Sequence, residues 1–329
     1  MRRGAIVLLL VALPVSVIAA LAWGAVPLPL GVVWHALFGG SEPEALGRSI
    51  VLDVRLPRVL LAMVVGAALG TSGAALQATL RNALAEPYLL GVSGGAAVGA
   101  VVVAALGIAS AIALPAAAFG GALGAVAIVM AVARAAGSRA GAGDPRVLLM
   151  AGVVVGAFAN AAIMILLANA PGNAVKDALW WMMGSVAVAS WDAVVWTSVA
   201  FAIAGGALLH WARDLDALAL GQDTAASLGI VPEAAARRAF VVASMLAAAT
   251  VAAAGLVGFV GLIVPHVARS LAGSRQRPVL AVAALAGGVL VVLADLAART
   301  VRAPAELPLG AVTAILGVPF FLVVLRRTV

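Results

Sequence analysis

The arrangement nearest to a catalytic one in this sequence is Gly-Val-Ser-Gly-Gly at 91–95, which puts Ser93 in a Gly-x-Ser-Gly setting. An intramembrane serine protease would pair such a hydroxyl with a histidine on another span. His266 is the best candidate partner, with His35 and His210 behind it. Yet Ser93 lies near the mouth of its apolar run, and His266 follows Pro265 amid arginines. A small polar residue that eases helix packing is the preferred reading of Ser93. ATP hydrolysis by a P-loop needs a lysine followed by Ser or Thr after a glycine loop; the only lysine, Lys176, is followed by Asp177. Carriers driven by protons or sodium usually keep an ionisable side chain inside the membrane. The middles of the apolar runs hold none, since Asp192 and Asp295 fall near predicted run ends. The absence of cysteine excludes disulfides and thiolate metal sites. Transport through this chain therefore needs an external motor, or the chain is a passive channel.

The elements around these residues are membrane spans. Hydrophobic residues make up 65% of the 329 and charged residues 10%, with a mean hydropathy of +1.19; a soluble domain is about half apolar and a quarter charged. The apolar runs are about 18–25 residues long, enough for a helix to cross roughly 30 Å of hydrocarbon. The alternation of a membrane barrel is missing. Spans are expected at 5–24, 57–79, 88–107, 112–133, 147–168, 192–211, 238–254, 279–298 and 308–325. The first of these is read as an uncleaved span and not as a signal peptide. Between Arg238 and Arg269 there are too many residues for one span and too few for two. Gly255, Gly258 and Gly261, followed by Pro265 and His266, make a poor continuous helix. A full span followed by a half-helix at about 262–271 fits, and its irregular backbone must be covered by protein. The expected fold is one all-α polytopic membrane domain over 1–329, with about ten crossings and both termini on the same side. Glycine pairs at helical spacing, Gly66/Gly70, Gly91/Gly95/Gly99, Gly120/Gly124 and Gly152/Gly156, point to close helix packing.

The net charge of +7 reflects loops and not a nucleic-acid partner. With the N-terminus inside, Arg2, Arg3, Arg81, Arg134, Arg139, Arg146, Arg213, Arg237, Arg238, Arg269, Arg275, Arg277, Arg326 and Arg327 are cytoplasmic, 14 of the 20 Lys+Arg. Arg48, Arg55, Arg58, Lys176, Arg299 and Arg302 are outside, an asymmetry that supports this orientation. It also places the charged stretch 213–238 in the cytoplasm. There, Asp214 and Asp216 suit a first helical turn, and Leu215, Leu218 and Ala219 form an apolar edge. Gly221 breaks that helix, and a second short one ends at Gly229, a C-cap. Helices this short need a surface to lie on. No basic residue falls between Arg213 and Arg237, so a protein partner fits better than lipid headgroups.

Five blocks carry a family resemblance: "RLPRVLLAMVVGAALGTSGAALQATLRNALAEPYLLGVSGGAAVGA" (55–100), "WWMMGS" (180–185), "LALGQDTAASLGI" (218–230), "GLVGFVGLIVPHVAR" (255–269) and "ELPLGAVTAILGVPFFLVVL" (306–325). In this order over essentially the whole chain, they resemble the iron-siderophore, haem and cobalamin permeases of type II ABC importers, the FecCD-type family. The resemblance implies ten helices per subunit, a permease homodimer, two cytoplasmic ATPases that use ATP–Mg, and a periplasmic or lipid-anchored binding protein. No cofactor is implied on this chain. It implies that 214–229 are coupling helices seated in a groove of the ATPase, with Asp214, Leu215, Leu218, Ala219, Leu220, Gly221, Gln222, Asp223, Leu228 and Gly229 as the contact set. It implies that Arg55, Arg58 and Arg299 dock carboxylates of the binding protein, and that the broken helix at 255–266 lies in the gate region. The expected membrane is the cytoplasmic (inner) one. In "RNALAEP", Ala83 stands where many members carry proline, which loosens the expected turn. "WWMMGS" leaves iron chelate and cobalamin equally good as cargo.

Overall fold

In hydrocarbon a backbone must satisfy its own hydrogen bonds, and each long apolar run of this chain does so as a helix. The computed structural model describes residues 3–39, 45–108, 110, 112–136 and 144–328, and no strand occurs among them. Arg2 and Arg139, part of the charge asymmetry, lie outside the described residues. The chain begins with α1 (Arg3–Ala22), α2 (Leu30–Phe38) and α3 (Ala45–Ser49); a π-helical turn, Ile50–Arg55, joins α3 to α4 (Leu56–Leu80). Then come α5 (Val92–Ala105), α6 (Ala113–Ala136), α7 (Pro145–Ala168), α8 (Gly172–Met182) and α9 (Trp191–His210). Two short helices, α10 (Ala212–Leu220) and α11 (Gln222–Ser227), precede α12 (Pro232–Ala254), α13 (Val260–Ala272), α14 (Gln276–Thr300) and α15 (Leu309–Thr328).

Among the described residues, six helices are long and apolar enough to cross a membrane, and four shorter apolar ones, Ile6–Ala22, Val92–Ala105, Val260–Ala272 and Leu309–Leu322, bring the number to the ten expected. The half-helix is α13, within two residues of its expected limits. Three helices were not anticipated: α2, α3 and α8 fall in connections that sequence reading treats as loops. In α8 the polar opening hides a short amphipathic pattern, with Ala174 and Ala178 buried and Leu179 and Trp180 exposed.

The bundle is built around α4, which is buried along nearly its whole length and packs against α14, α12, α13 and α9. Small residues make this approach possible. A Cβ placed on Gly66 would meet the Gly287 carbonyl of α14 closer than 3.0 Å, and one on Gly95 would meet Gly121 of α6 equally closely. Ser72 Oγ adds a polar pin, donating to the Ala243 carbonyl of α12 at 2.7 Å. The Gly120/Gly124 pair departs from expectation. Neither has an atom within 4 Å of a built Cβ, because Gly121, one residue over, is the one that faces α5. Gly66→Val is accordingly expected to lower stability by about 1–3 kcal/mol or more through overpacking. Gly120→Val should leave the melting temperature in detergent nearly unchanged. Equal behaviour of the two variants would contradict this packing.

Candidate functional site

The break between α12 and α13 is where the separate sequence blocks meet. α12 stops at Gly255 (φ +66°), and the chain regains helix only after Phe259, a non-glycine residue with φ +66°. Two N–H groups of this five-residue gap are taken up by side chains of the 86–88 segment, and further bonds among Ala254, the 183–185 segment and the 309–310 segment brace its surroundings. Glu86 Oε1 accepts from the Phe259 N–H at 2.5 Å, and the Tyr88 hydroxyl accepts from the Val257 N–H at 3.2 Å. Ser185 N–H donates to Ala254 O at 2.8 Å, while Leu309 and Gly310 N–H donate to Gly184 and Met183 carbonyls at 3.1 Å each. On the far side of the gap, Gln77 Nε2 donates to the Gly261 and Leu262 carbonyls at 3.3 Å, and Arg269 Nη2 donates to Gln77 Oε1 at 2.5 Å. The fit is tight. A Cβ on Gly310 would lie 2.5 Å from Leu256 O, and one on Gly261 would lie 2.8 Å from Pro87 Cδ. Gly258 faces Glu86, and Pro265 is buried. The Glu86 carboxylate also sits at the N-terminal end of α13, where the helix dipole favours an anion. Burial nonetheless pushes its carboxyl up to about 7, with the Phe259 N–H pulling the other way.

Glu86, Tyr88, Gln77, Gly184 and Gly310 are thus site residues that residue-by-residue reading did not select. The available signal was a carboxylate standing inside an apolar block, "ALAEPYLLG". The turn before it stays ordered despite Ala83: Asn82 Oδ1 accepts from the Leu84 N–H at 2.9 Å. Ser93 serves the same turn, donating to Tyr88 O at 2.9 Å. His266 instead packs edge-on against Phe320, with ring centroids 6.2 Å apart. These engagements leave the Ser93–His266 pair without the contact that nucleophilic catalysis requires.

At one end of the bundle α10 and α11 form the expected pair, with Gly221 (φ +126°) between them. The extended, left-handed φ at this corner is open to glycine and strained for other residues. Gly229 (φ +79°) follows the second helix, with Leu228 as its cap. The apolar edge is divided in a way the sequence did not indicate. Leu215 and Leu218 are buried against the bundle, together with Ala212 and Ala217. Leu220 and Leu228 point outward, 69% and 63% exposed, alongside Ala219 and Asp223. Two carboxylates tie the pair to the spans: Asp214 pairs with Arg238 of α12, and Asp216 Oδ1 accepts from the Gln276 N–H at the start of α14 at 2.6 Å. The Arg238 guanidinium also lies 5.1 Å from the centre of the Trp211 ring.

At the other end of α14 lie the three arginines expected on a docking surface. Arg55, Arg58 and Arg299 are 6%, 7% and 5% exposed. Arg55 donates to the Leu21, Ala22 and Val26 carbonyls, capping the C-terminal end of α1. Arg299 donates to Ala20 O and lies 3.5 Å from Asp295. Arg58 holds Asp295 at 2.8 Å and Glu306 at 2.7 Å. The three side chains thus form an internal clamp joining α1, α4 and α14. The physical reason is desolvation: a charge at the end of an apolar helix is buried only with partners in place, and here the chain supplies them. Gln276 and Arg299 lie roughly 34 Å apart at about 1.5 Å per helical residue, so clamp and helix pair occupy opposite faces of a membrane-thick bundle.

Among the described residues, ten apolar helices, one of them following a backbone break pinned in protein, with a pair of short helices docked on one end, make up an integral membrane protein of the polytopic helical class. The chain belongs to the FecCD transport family, whose model matches residues 9–327. It is 38% identical to a cobalamin import system permease protein of Halobacterium salinarum, over 92% of this chain and 80% of that protein. It is 37% identical to a hemin transport system permease protein of Yersinia pestis, over 97% and 94%. It is 33% identical to an Fe(3+) dicitrate transport system permease protein of Escherichia coli, over 99% of both chains. Among solved structures, a metal-chelate type ABC transporter in an inward-facing conformation superposes with a TM-score of 0.84 at 26% identity, covering 99% of this chain and 100% of that one.

Proposed function

We propose that this chain is the permease subunit of an ATP-binding-cassette importer, moving a metal chelate (iron-siderophore, haem or cobalamin) across the cytoplasmic membrane by alternating access. Two permease subunits, taken as a homodimer, stand over two cytoplasmic ATPases that bind ATP–Mg, and a periplasmic or lipid-anchored binding protein delivers the chelate. The observation that carries this reading is the outward face of α10–α11. Leu220 and Leu228 are exposed on helices too short to stand alone, and those helices are anchored to α12 and α14 by Asp214 and Asp216. A rigid seat with an apolar outer face suits transfer of motion from a separate motor. Both termini and the helix pair are assigned to the cytoplasmic side, which the charge asymmetry supports. Binding-protein docking is assigned to the end of the bundle that carries Arg55, Arg58 and Arg299, beside the exposed 301–306 loop with Arg302 and Glu306. The broken helix, with Gly255, Gly258, Gly261, Pro265 and His266, is assigned as the gate element. The relatives named above are permease proteins of cobalamin import, hemin transport and Fe(3+) dicitrate transport systems, so the cargo is assigned as a metal chelate by class.

The test is reconstitution of the assembled transporter in vesicles. Leu220→Asp combined with Leu228→Asp is expected to lower ATP-dependent uptake by about tenfold or more, the scale of losing two apolar anchors at an interface. The permease should keep its melting temperature, because both side chains are already in contact with solvent. Leu218→Asp, buried at 3% exposure, should instead destabilise the corner itself. Wild-type uptake by the double variant would reject the coupling assignment.

A further inference from the structure

We propose that the corner between α9 and α10 binds the phosphate headgroup of an anionic membrane lipid. α9 runs apolar to His210, turns at Trp211 and enters α10 at Ala212. That turn opens a cleft of about 270 Å³ lined by Leu209, His210, Ala212, Arg213, Asp216 and Arg277. Arg213 and Arg277 reach it from different helices, α10 and α14. Neither has a side-chain hydrogen bond or ion pair among the described residues, in contrast to Arg58, Arg238 and Arg299. The single acid in the cleft, Asp216, is already accepting from the Gln276 N–H at 2.6 Å. Two unpaired guanidiniums and an imidazole thus converge on one cavity, a donor set suited to phosphate.

The surroundings select a lipid as the source of that phosphate. Val195, Val199 and Ile203 are 58%, 52% and 70% exposed. At four-residue spacing they form an outward stripe on α9, which continues through exposed Gly206 to His210. An acyl chain lying along this stripe brings its headgroup to the cleft. The cleft lies where the apolar span ends, with Trp211 at the boundary, the level that tryptophan favours in membrane proteins. A soluble phosphate compound would use the arginines and leave the stripe without a role. The inference goes beyond the import reading and is measured without transport, so either can fail alone.

The full-length chain, purified in a neutral detergent, would be exposed to phosphatidylglycerol or phosphatidylcholine of identical acyl chains and examined by native mass spectrometry and thermal shift. Preferential retention of phosphatidylglycerol is expected, with a higher melting temperature than in phosphatidylcholine. Arg213→Gln combined with Arg277→Gln should reduce that retention by about tenfold. Arg213→Lys with Arg277→Lys should keep most of it, and Arg134→Gln with Arg146→Gln, basic residues elsewhere in the chain, should have no effect. Absence of a phosphatidylglycerol preference, or full retention by the Gln pair, overturns the proposal. Equal stabilisation by inorganic phosphate alone overturns the lipid assignment. It is overturned too if the two arginines become protected only on assembly with the ATPase, which would make the cleft part of that interface.

Discussion

Replacing Asp295 by alanine is expected to destabilise the folded chain by about 3–5 kcal/mol, the cost typical of removing one partner from a buried ion pair. Asp295 is 2% exposed and is the one fully buried carboxylate in a cluster that also holds Arg55, Arg58, Arg299 and the half-exposed Glu306. Its removal leaves three buried guanidiniums facing a single acid. Arg299 loses its ion-pair carboxylate, at 3.5 Å, and Arg58 loses the contact at 2.8 Å. Asp295→Leu combined with Arg58→Met should recover part of the loss, because one cation and one anion leave together and the balance of the cluster is restored. The measurement is the unfolding midpoint in detergent for the single and double variants. A single variant as stable as the parent, or a double variant no better than the single, would show that the clamp does not hold α1, α4 and α14 together.

Raising the pH from about 4.5 to about 7 is expected to weaken the native state, and Glu86 is the cause. Its carboxyl is raised from an ordinary 4.5 to about 7 by burial. Below pH 4.5 it is protonated in both folded and unfolded chains and contributes no pH dependence. Between 4.5 and 7 the unfolded chain releases the proton while the folded chain keeps it, so stability falls as pH rises, then levels off above 7. The full span is on the order of 3 kcal/mol at about 1.4 kcal/mol per pH unit. Glu86→Gln keeps an acceptor for the Phe259 N–H and removes the titration, so its melting temperature should lack this segment of the pH profile. Glu86→Ala should instead cost about 1–3 kcal/mol at every pH, from an unpaired buried N–H. Identical profiles for the parent and the Gln variant would remove Glu86 from the break.

Spans, their number and the position of the break are legible in the chain itself, since apolar length and helix-breaking residues act within a window of about twenty residues. α13 illustrates this: three glycines and Pro265 announce the half-helix to within two residues. The pair of short helices α10 and α11 is legible for the same reason, because Gly221 and Gly229 punctuate a charged stretch that cannot span. Which side chains of those elements face inward is not legible. Leu215 and Leu218 turn toward the bundle and Leu220 and Leu228 away, and Gly121 packs where Gly120 was expected. A one-residue rotation of a helix changes its facing by about 100°, and an apolar stripe in a membrane protein does not say whether protein or lipid covers it.

What the sequence determined by itself was a polytopic α-helical membrane chain with one broken helix and no P-loop, because hydropathy, breakers and short motifs are local properties; its permease class came from the family resemblance of five blocks. Only the tertiary structure decided that Arg55, Arg58 and Arg299 clamp the bundle internally, that Glu86 and Tyr88 pin a backbone gap about 170 residues away, and that Arg213 and Arg277 share one cleft. Each of these depends on charges or hydrogen-bond groups brought together from distant segments. Their partners are set by how the helices pack, which no local pattern specifies.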